Sequence, residues 1–154
     1  MNSSTVITLA IYLLAVSLAS IVMVFTLWPE SAQLTAEHSQ VRIFSRIIKV
    51  PREKHLLLLV LLMGLIGGCS YALWWFAHRV ATGELQERHV VWYVLRPWIS
   101  CFMTLIFYGL VRSGLFVTNL GNSKNINIYG MAGLAGAAGF LAAQVFEKLE
   151  GLLK

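Results

Sequence analysis

Four long apolar runs alternate with shorter polar connections along this chain. Thr5 to Trp28 is the first, with 24 residues and no Asp, Glu, Lys or Arg. A helix needs about 20 residues to cross the hydrocarbon core of a bilayer, so a first span is expected over about 5–28. Met1 to Ser4 carry no cation and the run is long for a signal peptide, so the span is expected to stay uncleaved. Trp28 suits an interface, and Pro29 ends the helix. His55 to Ala77 gives a second span over about 55–77, closing on Tyr71, Trp74, Trp75 and Phe76. Proline is tolerated in the first turn of a helix, so Arg96-Pro97 places the start of a third span of about 97–118. Trp92 and Tyr93 would anchor the approach to it.

The fourth run, about 126–146, is distinguished by small residues. Gly130, Gly133, Gly136 and Gly139 recur with alanines between them. Each glycine would cost a water-exposed helix about 0.8–1 kcal/mol relative to alanine. Within a bilayer, helices associate by close backbone approach, which small residues permit. The same reasoning marks Gly64 and Gly68, four apart in the second span. These six glycines are the expected helix-packing positions. Asn119 to Asn127, rich in asparagine and glycine, is expected as a loop.

Glu30 to Lys54 is the longest polar connection. Val41, Phe44, Ile47 and Ile48 recur at helical spacing, with Arg42, Arg46 and Lys49 opposite. This predicts a short amphipathic helix over about 36–50, lying in a headgroup plane or packed on a soluble partner. The expected fold class is therefore all-α: an integral membrane protein, one domain over 1–154, with four transmembrane helices and a short interfacial helix.

Composition strengthens this reading. Apolar residues make up 58% of the chain and charged residues 12%, against about 25% charged in soluble domains. The mean hydropathy is +0.72. A net charge of +5 would suit nucleic acid, but the cations flank apolar runs, so anionic lipid headgroups are the expected partner. Cys69 and Cys101 fall inside apolar runs and read as small hydrophobes. No metal-ligand spacing, phosphate loop or catalytic constellation is present, so no cofactor and no enzymatic activity are expected.

Few residues carry chemistry. Arg112 would be the charge lying well inside the third span, roughly 24 Å along the helix from Arg96. A charge in that position snorkels to the nearer headgroups, forms an ion pair, contacts an anion or lines a pore. Gln144 and Glu147, three apart near the exit of the fourth span, are candidate tail contacts.

Several stretches resemble a family of bacterial four-helix inner-membrane proteins of unassigned function. They are Arg52-Glu53-Lys54-His55 with the leucine run to Gly64, Tyr93-Val94-Leu95-Arg96-Pro97, and Leu105 to Gly114 with its Tyr108 and Arg112-Ser113-Gly114 centre. Asn127 to Gly136 and Gln144 to Leu149 complete the pattern. Where those proteins usually carry a Ser-Glu pair before the glutamine, this chain has Ala142 and Ala143. The resemblance covers roughly Arg52 to Leu149 and implies a multi-pass protein of the bacterial inner membrane. It implies no reaction.

Two functions are expected from these features. The first is a pore or channel subunit, a homo-oligomer closed by symmetry and lined by the glycine helix and the Arg112 face. The alternative is a membrane anchor or scaffold that docks a cytosolic partner protein, for example in a stress or phage-defence assembly.

Overall fold

The computed structural model describes residues 3–28, 38–43, 46–85, 89–113 and 128–152. Four helices dominate: α1 (Ser3–Leu27), α2 (Arg52–Thr82), α3 (Val90–Arg112) and α4 (Ile128–Leu152). Two short strands, β1 (His38–Ile43) and β2 (Arg46–Pro51), pair antiparallel between α1 and α2. Three helices, namely α1, α2 from Glu53 and α3, are long and apolar enough to cross a membrane. The described apolar stretch of α4, Tyr129–Ala142, is shorter.

Over the described residues 38–43 and 46–50, strands stand where the amphipathic helix was expected over about 36–50, the rest of which lies outside the described residues. Val41, Ile43, Ile47, Ile48 and Val50 are β-branched, which favours strand over helix. Their spacing contained a period of two, at 41/43 and 48/50, alongside the helical one. Gln40 pairs with Lys49, Arg42 with Ile47 and Ile43 with Arg46. The three cations therefore take different places in the register instead of sharing one helix face.

The helix ends also differ from the sequence expectation. α2 has 31 residues, roughly 46 Å, so its ends extend through Glu53 and Lys54 and through His78 and Arg79. It stops at Gly83, whose φ of 70° suits a residue without Cβ. There the Gly83 N–H bonds the Val80 carbonyl at 3.3 Å and the Glu84 N–H bonds the Arg79 carbonyl at 3.1 Å, a Schellman closure. α3 starts at Val90, not at Pro97, and Pro97 lies inside it. A proline there removes a helical N–H. In the same turn the Tyr12 hydroxyl of α1 donates to the Val94 carbonyl at 3.2 Å and accepts from Trp98 Nε1 at 3.3 Å. Residues 114–118 of the expected third span and the loop at 119–127 lie outside the described residues.

α2 is the central helix and touches the other three. Two clusters join it to α1. One gathers Val24, Leu27, Leu59 and Leu62; the other gathers Leu9, Leu13, Ala72, Phe76 and Tyr93. The late part of α1 thus meets the early part of α2, and the two run antiparallel. The opposite side of α1 faces outward: Ile7, Ile11, Leu14, Leu18, Val22 and Phe25, the last 77% exposed. Those positions recur every three or four residues and form one apolar stripe.

Candidate functional site

Glycines set how closely the helices approach, and only some of the expected ones do so. A Cβ on Gly64 would lie 2.1 Å from Thr104 Oγ1, and one on Gly68 would lie 2.4 Å from the Ser100 side chain. Gly64 and Gly68 therefore seat α3. A Cβ on Gly139 would meet the Gly64 carbonyl oxygen at 2.2 Å, and one on Gly67 would meet the Gly136 carbonyl oxygen at 2.1 Å. The α2–α4 seam is thus backbone on backbone. Gly136 itself has room, its nearest neighbour being Met63 at 3.6 Å. Gly133 has nothing within 4 Å, and both Gly130 and Gly133 are exposed. The expected ladder therefore splits: Gly136 and Gly139 face α2, while Gly130 and Gly133 face outward. Gly67, absent from the expected set, belongs to the seam.

The carboxyl end of α1, the start of α2, the end of α3 and the start of α4 lie together at one end of the bundle. His55 is 5% exposed, and its Nε2–H donates to the Leu27 carbonyl at 2.6 Å, closing the last turn of α1. Arg112 pairs with Glu53. Trp28 and Tyr129 bring their rings within 5.4 Å. Arg112 is exposed and is the last residue of α3, so it is not the mid-span charge that a helix over 97–118 would make it. Glu53 complements the positive end of α2 as well as the arginine. Being exposed, the pair contributes on the order of 0.2–1 kcal/mol.

The charge held deep inside α3 is Arg96, 4% exposed and roughly 9 Å along the helix from Val90. Two rings pack on its guanidinium: Tyr71 of α2, with the centroid 3.8 Å away, and Trp92 of α3, at 4.2 Å. Such cation–π contacts contribute about 2 kcal/mol or more when desolvated. A run of contacts leads from there to the end of the bundle. Tyr93 packs edge-on against Phe76 at 5.7 Å, and Arg79 lies 5.6 Å from the Trp75 ring. Arg79 Nη1–H donates to His89 Nε2 at 2.8 Å, which fixes the His89 proton on Nδ1. Both Arg79 and Arg96 lie within electrostatic reach of the Tyr93 hydroxyl. Tyr93 Oη and Trp75 Nε1 are buried with no hydrogen-bond partner. Each such group costs about 1–3 kcal/mol if it stays unsatisfied.

Sequence reasoning put Arg96 and Arg112 forward as candidate pore or ion-pair residues, roughly 24 Å apart on one helix. In the structure Arg96 has an aromatic setting in the first half of α3 and Arg112 an ion pair at its end. Glu53, His55, Tyr71, Trp75, Arg79 and Tyr93 were not expected at either place. One signal was present: Tyr71, Trp75 and Arg79 recur every four residues on one helix face. Gln144 is exposed on α4, and the Glu147 side chain lies outside the described residues. Arg42, Arg46 and Lys49 lie on the two strands, apart from both clusters in sequence. Among the described residues no group of three His, Cys, Asp or Glu could hold a metal ion.

These features define a helical bundle with membrane-length apolar helices, close glycine seams and two polar ends. No protein-family model, curated protein or solved structure matches the chain.

Proposed function

We propose that this is a multi-pass membrane protein with all four helices across the bilayer, acting as an anchor or scaffold subunit that docks a partner protein. The observation that carries the membrane reading is the outward apolar stripe of α1 from Ile7 to Phe25, which water would penalise and lipid would not. The anchor reading is supported by what remains available for work. Arg112 is engaged by Glu53, and the inner glycines are occupied by neighbouring helices, so neither is left to line a path. The paired strands between α1 and α2 carry Arg42, Arg46 and Lys49 and no acid, a basic element suited to an acidic partner or to anionic headgroups. On the resemblance noted above, the membrane is the bacterial inner membrane.

The test is co-purification. The triple reversal Arg42→Glu, Arg46→Glu and Lys49→Glu is expected to lose partners recovered with the unaltered chain, and the purified protein is expected to pass no ions. Unchanged recovery after the reversal would contradict the anchor reading.

One observation favours a second reading, the homo-oligomeric pore. Gly130 and Gly133 leave the outward face of α4 open, so a second copy could approach closely there. A closed ring in lipid discs together with measurable conductance would move the conclusion to that reading.

A further inference from the structure

One hydrogen bond reaches across the connection between α2 and α3, and it requires a neutral imidazole. Arg79 Nη1 lies 2.8 Å from His89 Nε2, and both residues are half-buried. Arginine stays protonated and can only donate, so Nε2 must offer its lone pair. A second proton on the ring takes that lone pair and sets two cations against each other at hydrogen-bond distance. His89 also stands directly before the first turn of α3, at the positive end of that helix, which disfavours an imidazolium further. Arg79 anchors the connection in two more ways. Its carbonyl accepts the Glu84 N–H at 3.1 Å, and its guanidinium lies 5.6 Å from the Trp75 ring.

We propose that Arg79 and His89 form an acid-released clasp on the α2–α3 connection, closed while His89 is neutral and open once it is protonated. Histidine ordinarily titrates between about pH 5 and 8, so the clasp senses pH in that range. Several other groups bear on the ring. α2 brings His78, which lies against Trp74 and Trp75; α3 brings Tyr93, one turn on, and Arg96; α1 brings the apolar Val6 and Leu9. The connection brings the exposed Glu84, and Glu87 and Arg88 precede His89 directly in the chain but lie outside the described residues. A carboxylate near the ring raises the pH of opening and a cation lowers it. These groups, and the interactions of His89 beyond the one with Arg79, set where opening falls in pH and leave its direction unchanged. The proposal stands apart from the anchor reading, because the clasp is at the opposite end of α2 from the strands and Glu53.

Two readouts on the full chain in mild detergent test this. The first is nitrogen NMR of the His89 ring. At about pH 8 the proton is expected on Nδ1, with Nε2 bare. Arg79→Gln should raise the pH of half-protonation by about one unit, because the cation facing the ring is gone. A proton on Nε2, or an unmoved midpoint in Arg79→Gln, would overturn the proposal. The second readout is cleavage within residues 83–89 by a protease active over the whole range, compared among variants at each pH. His89→Gln keeps an oxygen that accepts from Arg79 at any pH, and His89→Ala keeps none. At about pH 8 the unaltered chain should be cut at the rate of His89→Gln. At about pH 5 it should be cut about tenfold faster than His89→Gln, at the rate of His89→Ala. Equal rates for the unaltered chain and His89→Gln at about pH 5 would contradict the clasp. So would an acid-dependent rise that survives in His89→Gln and vanishes in His78→Gln, Glu84→Gln or Glu87→Gln, which would assign the response to another group. If a His89 variant fails to fold, the tautomer and the midpoint decide alone.

Discussion

Replacing Gly139 by alanine adds one carbon at one of the two tightest described points of the α2–α4 seam. The new Cβ would lie 2.2 Å from the Gly64 carbonyl oxygen and 2.8 Å from the Gly64 carbonyl carbon and Cα. Ordinary contact begins near 3.4 Å, so α4 must draw back from α2 by about 1.2 Å. The obstructing atoms are backbone, so no rotamer change relieves the clash. Overpacking of this kind costs about 1–3 kcal/mol, and the rigid neighbour points to the upper part of that range. Gly133→Ala adds the same carbon to the same helix where nothing lies within 4 Å. It should be neutral or stabilising by up to about 1 kcal/mol, since alanine is the better helix former. The pair isolates packing from helix propensity. The assay is reversible unfolding in mixed detergent micelles, comparing the two variants with the unaltered chain. Equal effects of the two substitutions, or a larger loss for Gly133→Ala, would refute the seam.

Three further outcomes are expected. A double-mutant cycle on Glu53→Gln and Arg112→Gln should give a coupling of about 0.2–1 kcal/mol that shrinks as salt is added; a coupling above 2 kcal/mol would mean the pair is less exposed than described. His55→Phe should cost about 1–3 kcal/mol by leaving the Leu27 carbonyl unsatisfied, seen as earlier proteolysis near Trp28; unaltered cleavage would remove that bond from the account. Gly83→Ala should cost about 1 kcal/mol in unfolding measurements because its left-handed φ strains any side chain; no loss would mean the α2 closure relaxes.

The long helices were legible because uninterrupted apolar runs leave few alternatives. The first run, about 5–28, became α1 at Ser3–Leu27 nearly unchanged. Charges at helix ends concealed the true length of α2, because Glu53, Lys54 and Arg79 read as connection. Pro97 misled in the other direction: read as a first-turn proline, it moved the start of α3 seven residues too late. That shift left Arg96 at the edge of the third span and Arg112 inside it, the reverse of their places in the structure. The strand pair was hidden because β-branched residues at 41, 43, 47, 48 and 50 satisfy two periods. The seams were half legible. Small residues marked α4 as a packing helix, but they occur all round it, and only the partner backbone distinguishes Gly139 from Gly133. Contacts such as Arg112 with Glu53 join residues 59 apart in sequence and depend on which helices lie side by side.

On the proposed topology α4 crosses the bilayer with the other three helices. Reporters of compartment fused to each end of the chain give the sharpest test. Four spans return the carboxyl terminus to the side of the amino terminus, so both reporters should give the same signal. Opposite signals would mean that an odd number of helices cross and that α4 lies outside the bilayer.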